Sequence, residues 1–271
     1  MTTPPPVALT IAGSDCSSGA GIQADLKTFQ HFRVHGLTAI TCIVSETANI
    51  VRAVSPVPVE IVADQVALML DSFPVAAAKT GMLFSAAHVR AVVQLIRRHP
   101  GIQWVVDPVM IASTGASLLE EDAVAAYREH LLPLATVITP NLPEAETLLG
   151  RAIPDLAAVE PAAVALAEKF GTAVLLKGGH LEDDECLDLL AEPDGSVHYF
   201  TAQRLSVPGS HGTGCTLSAA IAARLALGDA LPVAVGHAKA YLTATLRESY
   251  SFSAPSGEII HALNQGTTPL L

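Results

Sequence analysis

The chain has 271 residues, of which half are apolar and 15% charged, and 26 acidic against 15 basic residues give it a net charge of −11. This composition can form a sizeable core, and it excludes a disordered chain, which has few hydrophobic residues and a large charge imbalance. So acidic a chain lacks the basic surface of a nucleic-acid-binding protein, and no apolar run approaches the roughly 20 residues of a membrane span.

The N-terminus and the cysteines predict a cytoplasmic protein with reduced thiols. The opening residues, Met-Thr-Thr-Pro-Pro-Pro, lack the charged and apolar regions of a signal peptide. The cysteines are far apart in sequence, without the close pairs of a metal knuckle, and a large core does not depend on disulfides. The four are Cys16, Cys42, Cys186 and Cys215.

Short apolar segments rich in β-branched residues alternate with longer helical patterns along the chain. This alternation predicts an α/β fold with a mostly parallel central sheet and helices on both faces. The predicted strands cover residues 7–11, 38–44, 75–78, 104–106, 136–138 and 173–176. The predicted helices cover residues 19–32, 59–73, 86–98, 162–170, 213–227 and 232–247.

The alternation changes after the sixth predicted strand. Two adjacent short strands, 186–190 and 197–200, are predicted to form a small antiparallel edge hairpin around residues 193–195. We expect a single domain over residues 1–271, because neither an internal repeat nor a linker interrupts the pattern. Residues 251–271 are interspersed with Ser, Pro, Gly and Thr, which predicts an irregular C-terminal tail without an assigned role.

The strongest local signal for chemistry is a glycine-rich loop directly before an alanine-rich helix, Ser210-His211-Gly212-Thr213-Gly214-Cys215-Thr216. Glycines let the backbone approach a ligand closely, and the helix that follows offers unpaired amides at its positive end. The loop therefore fits a transferring phosphoryl group, although a turn that opens a buried helix is the alternative. A cysteine at a helix start can have a lowered pKa. The chain has no Walker A pattern, so phosphoryl transfer would use another scaffold.

Six ordered motifs extend over about residues 7–225. They are Ala12-Gly13-Ser14-Asp15 with Gly19 to Phe29, Lys79-Thr80-Gly81-Met82-Leu83, Val106-Asp107-Pro108-Val109-Met110, Thr139-Pro140-Asn141-Leu142-Pro143-Glu144-Ala145, Leu176-Lys177-Gly178-Gly179-His180-Leu181, and His211 to Ser218. In this order they resemble the motifs of hydroxymethylpyrimidine and phosphomethylpyrimidine kinases. These belong to the ribokinase-like superfamily, and pyridoxal kinases are near relatives.

The resemblance implies a ribokinase-like fold and an enzyme of thiamine synthesis that uses ATP and Mg²⁺. Its expected reaction is phosphorylation of the hydroxymethyl group of 4-amino-5-hydroxymethyl-2-methylpyrimidine, and of the resulting monophosphate in a second step. Together with the edge hairpin, the resemblance also makes a homodimer plausible.

For the catalytic loop, the resemblance implies that Gly212, Thr213 and Gly214 form an anion hole and that Cys215 takes the position of the catalytic base. Lys177 and Thr213 would contact the nucleotide, although Lys177 could instead be an ordinary surface lysine. Phosphoryl transfer has a loose transition state, so positioning and charge neutralisation should outweigh proton removal. We therefore expect loss of the glycine loop to lower activity more than loss of the Cys215 thiol.

Asp107 and Glu144 resemble the family's magnesium and phosphate-end carboxylates. Mg²⁺ prefers oxygen ligands and usually keeps several waters while it bridges to nucleotide phosphates. Each residue also has a structural interpretation. Asp107 could be a turn-forming acid before proline, and Glu144 fits the third position of a helix capped by Asn141. The capping and ligand roles of Glu144 are compatible.

The resemblance also implies substrate contacts at Gly13, Asp25 and Met82. Asp25 lies one turn into the first predicted helix, where an acid would also stabilise the positive helix end. Met82 could equally be a core methionine, since its flexible side chain fills gaps well.

Glu46 stands where the family usually has a glutamine that meets the aminopyrimidine edge. An ionised carboxylate can only accept hydrogen bonds, whereas glutamine donates and accepts. Glu46 could accept from the exocyclic amino group, and from the ring nitrogen if that nitrogen is protonated. Alternatively, burial and proximity to Asp25 could raise its pKa and keep it protonated. A third possibility is a different substrate.

Two further departures concern the phosphate end. Ser113-Thr114-Gly115 lacks the family's loop lysine, and Gly209-Ser210, preceded by Pro208, replaces the family's Asn-Thr. A second phosphorylation would gather negative charge near these positions, so we hypothesise that it is weakened or absent.

Three alternatives compete with a pyrimidine kinase. A pyridoxal kinase of the same fold is the main one, and pyridoxal has no amidine-like edge to meet Glu46. A non-catalytic pyrimidine or vitamin sensor would not need Asp107, Glu144 and Lys177. A sugar or nucleoside kinase would generally present an aspartate at position 215.

Overall fold

The computed structural model describes residues 3–110, 121–178 and 185–266. Within them, eleven strands form a nine-stranded sheet and a separate two-stranded sheet. The strands are β1 (Val7–Asp15), β2 (His35–Thr47), β3 (Ile50–Pro56), β4 (Val75–Thr80), β5 (Gln103–Val106), β6 (Val137–Ile138), β7 (Ala173–Lys177), β8 (Glu185–Ala191), β9 (Val197–Gln203), β10 (Tyr250–Ser253) and β11 (Ile259–Ala262).

The large sheet has the order β3-β2-β1-β4-β5-β6-β7-β8-β9. Its six central strands, β2-β1-β4-β5-β6-β7, are parallel to one another. Strand β3 at one edge and strands β8 and β9 at the other pair with their neighbours in antiparallel fashion. The predicted α/β fold with a mostly parallel sheet is therefore confirmed, as is the predicted antiparallel edge hairpin.

Helices cover both faces of this sheet. They are α1 (Gly21–His31), α2 (Val59–Ser72), α3 (Ala86–Arg98), α4 (Glu121–Ala126), α5 (Leu142–Leu149), α6 (Val159–Phe170), α7 (Thr213–Ala226) and α8 (Leu231–Arg247). A π-helical turn, Tyr127–Leu131, follows α4. No helix among the described residues combines the length and apolar character needed to cross a membrane.

The alternation of side chains along β1 separates two hydrophobic cores. Leu9 and Ile11 are buried with α2 to α6 on one face, whereas Ala8 is buried with α1, α7 and α8 on the other. Helix α7 lies in the second core with ten buried residues, most of them small. The alanines in α7 therefore permit close contact with the sheet and the neighbouring helices.

Two features of the fold differ from the sequence prediction. Strand β3 was not predicted, and it pairs with β2 to form a hairpin at the edge of the sheet. The C-terminal tail was predicted to be irregular, and this is wrong for its two strand segments, residues 251–253 and 259–262. Strand β11 pairs with β10, and Leu263 and Gln265 are buried.

The parallel strands end at one edge of the sheet, where backbone hydrogen bonds continue the alignment beyond the strands. Asp107 N donates to Thr80 O, Thr139 N to Val106 O and Lys177 N to Pro140 O. In open α/β sheets, ligands bind beyond the carboxyl ends of the strands. The side chains that follow β5, β6 and β7 are therefore brought together at the expected ligand-binding edge.

Candidate active site

A cavity of about 920 Å³ opens at this edge of the sheet. It is lined by most of the residues that the sequence analysis selected. They are Gly13, Glu46, Met82, Asp107, Glu144, Lys177, Gly212, Thr213, Gly214 and Cys215. One cavity therefore holds all of the predicted site residues except Asp25.

The glycine loop is held by close backbone packing at the start of α7. Gly212 precedes the helix with φ +82°, a left-handed conformation that favours glycine. A Cβ atom at Gly212 would collide with the carbonyl oxygen of Gly19. The Thr213 hydroxyl donates to Ser210 O at 2.8 Å and closes the turn. The loop can therefore present the first amides of α7 to an anion.

Gly214 faces the charged end of the cavity. A Cβ atom at this position would lie 3.5 Å from both Asp107 Oδ2 and Lys177 Nζ. These are ordinary contact distances, so an alanine fits there without a collision. Its methyl group would nevertheless occupy space between the loop and the two charged groups.

Cys215 does not have the lowered pKa that its position suggested. Burial raises the pKa of the thiol to about 11, nearby Lys79 opposes this, and Asp25 and Asp107 raise it further. The four cysteines carry free thiols, as predicted. Cys215 therefore meets the cavity mainly as a neutral thiol, because the positive helix end is outweighed by burial and by the two acids.

Asp107 and Lys177 form an ion pair on the cavity wall. Lys177 Nζ lies 3.2 Å from Asp107 Oδ1, which also accepts from the Thr139 hydroxyl at 3.0 Å. The Ser218 hydroxyl donates to Asp107 Oδ2 at 3.3 Å. Burial alone would lower the pKa of Lys177, but Asp107 and Glu144 outweigh it and raise the pKa. The lysine therefore stays charged beside the glycine loop.

Glu144 has the capping role that its sequence context suggested. Its Oε2 accepts from Asn141 N at 2.9 Å, and Asn141 Oδ1 accepts from Glu144 N at 2.9 Å, so both halves of a capping box are present. Burial raises the pKa of Glu144, Lys177 opposes this, and Asp107 raises it further. Two acidic groups thus repel each other in a buried position, which favours a cation between them.

Asp25 lies beneath the cavity instead of in its wall. Its side chain and that of Lys79 are both fully buried, with Lys79 Nζ 2.9 Å from Asp25 Oδ2. The Thr10 hydroxyl donates to the same carboxylate oxygen at 2.6 Å. Asp25 was predicted to contact the substrate; in the structure it does not line the cavity, and its carboxylate is bound by Lys79 and Thr10. A buried ion pair supports the cavity floor instead.

Another end of the cavity is shaped by sulfur atoms and a glycine. A Cβ atom at Gly13 would come within 2.8 Å of Cys42 Sγ, so this position requires glycine. Met82 lines the cavity, and its carbonyl oxygen accepts from the Thr41 hydroxyl at 2.7 Å. Met82 is therefore a wall of the cavity as well as a packing residue.

Glu46 reaches this end of the cavity from the β2–β3 hairpin and is half-buried. Its backbone is tied to the loop after β1, because the Cys16 thiol donates to Glu46 O at 3.3 Å. Burial and the negative charge of Asp15 raise the pKa of Glu46, and His211 opposes them. Proximity to Asp25 was considered as a cause of a raised pKa, but the acid that raises the pKa of Glu46 is Asp15.

The Asp15–His211 pair was not selected from the sequence. His211 Nε2 lies 2.9 Å from Asp15 Oδ2, and the amides of Gly19 and Ala20 donate to the same oxygen. Burial opposes ionisation of Asp15, but hydrogen bonds from His211 and Ser17 outweigh it and lower its pKa to about 2. Asp15 lies in the first of the six ordered motifs and His211 in the last. They are 196 positions apart, so no local sequence pattern indicates that they pair.

An Asp15→Asn variant should lose stability in a pH-dependent way. Because the folded pKa of Asp15 is below its unfolded value of 3.8, the carboxylate stabilises the fold above that value. Its contribution is lost as pH falls from about 4 to about 2. We expect Asp15→Asn to lower the free energy of unfolding by about 1–2 kcal/mol at pH 7, allowing for screening by water at the cavity.

Urea unfolding at pH 7 and pH 3 measures this effect. The difference between the two proteins should shrink at pH 3. Asp71→Asn, at an exposed position on α2, is the matched control, with an expected change below about 0.5 kcal/mol. An equal loss at both pH values would contradict the assignment.

A second ion pair lies at the far end of the cavity and was also missed. Lys239 Nζ of α8 lies 2.6 Å from Asp188 Oδ2 of β8, and both residues line the cavity. Asp188 Oδ1 also accepts from Gly178 N at 3.2 Å, directly after Lys177. Isolated charges in strand β8 and in helix α8 gave no pattern that could predict this contact. Ser113-Thr114-Gly115, Gly179 and His180 lie outside the described residues.

Comparison with protein families and sequences places this arrangement among vitamin kinases. Residues 15–259 match the family model described as phosphomethylpyrimidine kinase. A hydroxymethylpyrimidine/phosphomethylpyrimidine kinase of Rhizobium meliloti is 48% identical over 241 residues, which cover 89% of this chain and 90% of the relative. The thiamine biosynthesis bifunctional protein ThiED of Geobacter sulfurreducens is 41% identical, and the match covers 94% of this chain but only 52% of that protein.

Solved structures give the same result. Bacillus subtilis pyridoxal kinase in complex with ADP superposes with a TM-score of 0.84 at 36% identity, covering 95% of this chain and 97% of the other. Phosphomethylpyrimidine kinase of Clostridium difficile superposes with a TM-score of 0.77 at 36% identity, covering 88% of this chain and 97% of the other.

Proposed function

The chain belongs to the phosphomethylpyrimidine kinase family and is a kinase, and from this premise we propose that it transfers the γ-phosphoryl group of ATP to the hydroxymethyl group of 4-amino-5-hydroxymethyl-2-methylpyrimidine. One observation supports the proposal above all others. Within a single cavity, the Asp107–Lys177 pair lies beside Gly214 of the glycine loop, and Gly13 and Glu46 line the part near His211.

The charged end of the cavity suits a nucleotide. Lys177 would meet the phosphates as a point charge, and Gly214 would offer its amide at the start of α7. The Thr213 amide donates to Ser210 O at 3.2 Å in this structure and would exchange that partner for a phosphate oxygen. The ADP complex of the Bacillus subtilis pyridoxal kinase supports nucleotide use by this fold. The Asp188–Lys239 pair lies in the same cavity, further from the pyrimidine end.

The two carboxylates of this end suit Mg²⁺. No cluster of three or more acidic, histidine or cysteine side chains suitable for a metal occurs in the part of the chain that the structure describes. Mg²⁺ in nucleotide sites, however, typically needs only one or two carboxylates together with water and phosphate oxygens. The mutual repulsion of buried Asp107 and Glu144 fits this donor set. When bound, the ion would neutralise charge on the phosphates, with Asp107 and Glu144 as its protein ligands.

In the proposed reaction the alcohol oxygen forms a bond to the γ-phosphorus while the bond to the bridging oxygen of ADP breaks. The amides of Gly212, Thr213 and Gly214 stabilise the negative charge that spreads over the transferring group. A neutral Cys215 thiol cannot accept the alcohol proton, so the base role would be confined to its minor thiolate form. We therefore expect proton removal to contribute little to the rate.

Glu46 is proposed to bind the amino edge of the pyrimidine with one shared proton. A protonated Glu46 can donate to the ring nitrogen while its other oxygen accepts from the amino group. If Glu46 is ionised and the ring nitrogen is protonated, the same two hydrogen bonds form, with the shared proton on the ring nitrogen. The raised pKa of Glu46 favours the arrangement in which Glu46 carries the proton. In both cases the complex holds one proton that the separated, deprotonated partners lack.

A Glu46→Gln variant should therefore remove a pH dependence. In the wild-type enzyme, kcat/KM for the pyrimidine alcohol should fall by about tenfold per pH unit once both free groups are deprotonated. Glutamine donates and accepts at every pH, so the profile of Glu46→Gln should stay flat over the same range. Profiles of both enzymes between pH 6 and 9 measure this, with the KM for ATP as the internal control. Parallel profiles would contradict the shared proton.

Pyridoxal phosphorylation is the second candidate function, because a pyridoxal kinase superposes with a TM-score of 0.84. Glu46 is the discriminating residue, since pyridoxal presents no amino-substituted ring edge. The second phosphorylation is proposed to be weak, because Gly209 and Ser210 replace the family's usual residues beside the loop. The predicted homodimer and cytoplasmic location stay predictions.

ADP release from Mg-ATP tests the proposed function with three acceptors in parallel. These are the pyrimidine alcohol, its monophosphate and pyridoxal. We expect rapid turnover of the alcohol and slow turnover of the monophosphate. Comparable turnover of both would contradict the weakened second step, and turnover of pyridoxal alone would replace the proposed substrate by the second candidate.

A further inference from the structure

The C-terminal segment after β11 returns to the glycine loop. Leu263 is 1% exposed and Gln265 is 3% exposed, although both lie close to the end of the chain. Helix α8 anchors this segment, because the Tyr241 hydroxyl donates to Gln265 O at 2.8 Å. The backbone amide of Asn264 donates to Thr245 O at 3.3 Å. These contacts to the backbone of residues 264 and 265 fix the position of Gln265 independently of its side chain.

The side-chain amide of Gln265 links the segment that packs against the anion hole to the first turn of α7. Its Nε2 donates to Gly19 O at 3.3 Å and to Thr216 Oγ1 at 3.4 Å. Gly19 O is the atom against which Gly212 packs, and this contact is so close that it permits no side chain at Gly212. Thr216 is fully buried in the first turn of α7. A displacement of Gly19 would therefore be transmitted directly to the loop.

We propose that Gln265 is a positioning residue that fixes the anion hole by holding Gly19 O and the first turn of α7 in register. It is separated from the cavity by the loop, so it acts through Gly19 and Gly212 and does not touch the reacting atoms. Amides that meet charge developing during transfer are sensitive to small displacements, whereas ground-state binding is less so. The kinetic part of this inference rests on the proposed kinase activity, and the structural part does not.

Gln265→Met tests the inference, since methionine keeps the length of the side chain but donates no hydrogen bond. Asn264→Ala is the matched control, because Asn264 Oδ1 accepts from Gly266 N and the residue is the immediate neighbour of Gln265. Amide hydrogen exchange is measured over residues 15–22 and 209–216, and kcat and both KM values are determined in parallel. Thermal unfolding reports whether each variant keeps the fold.

We expect exchange in both segments to accelerate at least about fivefold in Gln265→Met and to stay unchanged in Asn264→Ala. We also expect kcat to fall about tenfold, with both KM values within about twofold of wild type. Unchanged exchange in a folded Gln265→Met variant would overturn the inference. So would a loss in which kcat, both KM values and thermal stability all change together, because that indicates only a structural role. An inactive wild-type chain would refute the proposed function, and the exchange data would still decide the role of Gln265.

Discussion

A Gly214→Ala variant is expected to lose about 10²–10³-fold in kcat, whereas Cys215→Ala should lose only about tenfold. The added methyl group would lie 3.5 Å from Asp107 Oδ2 and Lys177 Nζ, in space that a transferring phosphoryl group needs. Alanine is also the best helix former, so the start of α7 should remain folded. The Cys215 thiol is mainly neutral because burial raises its pKa to about 11, which makes it a poor base at neutral pH.

The two neighbouring substitutions form a matched pair, because each changes one small residue in the same turn of α7. Steady-state kinetics with saturating ATP give the comparison, and thermal unfolding confirms that both variants are folded. An inert Cys215→Ala enzyme beside a nearly unimpaired Gly214→Ala enzyme would reverse the proposed roles. Proton removal by the thiol would then control the rate, and the anion hole would contribute little.

Asp107→Asn is expected to lower kcat by about 10³-fold and to raise the Mg²⁺ concentration needed for half-maximal activity. Asparagine can still accept the hydrogen bond from Thr139, but it removes the negative charge that faces Lys177 at 3.2 Å. Glu144→Gln keeps an acceptor oxygen for the Asn141 amide and therefore keeps the capping box. We expect it to lose about 10–100-fold, with a smaller change in the Mg²⁺ requirement.

Binding of ADP in the presence of a chelator is the control for both carboxylate variants. If the variants are folded and the carboxylates act through Mg²⁺, metal-free ADP binding should change little while Mg²⁺-dependent turnover collapses. An Asp107→Asn enzyme with wild-type kcat at ordinary Mg²⁺ concentration would remove this residue from the proposed metal site. Equal losses of metal-free ADP binding and turnover would indicate a role in nucleotide contacts alone.

The positions of the central strands were accessible from the sequence because buried parallel strands are continuous apolar runs bounded by helices. Strand β3 was not predictable in this way, since Arg52, Ser55 and Pro56 interrupt its apolar pattern and most of its residues are exposed. The C-terminal hairpin was missed for a related reason. Tyr250, Phe252 and Ile259 are largely exposed, so pairing between the strands leaves no periodic burial to detect.

The candidate site was predictable as a set of residues but not as a set of interactions. Asp107, Glu144, Lys177 and the glycine loop follow strand ends or precede helices, so the topology brings them together. The buried position of Asp25 has a tertiary cause, because its partner Lys79 lies 54 positions away. The pKa of Cys215 likewise depends on burial and on three charged neighbours from other elements. Local sequence contains no information on such distances.

Product analysis after incubation with Mg-ATP and the pyrimidine alcohol tests the central claim most directly. Phosphorus NMR and mass spectrometry identify the product, and ADP is quantified in the same sample. We expect one ADP for each pyrimidine monophosphate, with the phosphate on the primary alcohol oxygen. ADP formed without a phosphorylated pyrimidine, or a phosphorylated product only from pyridoxal, would contradict it.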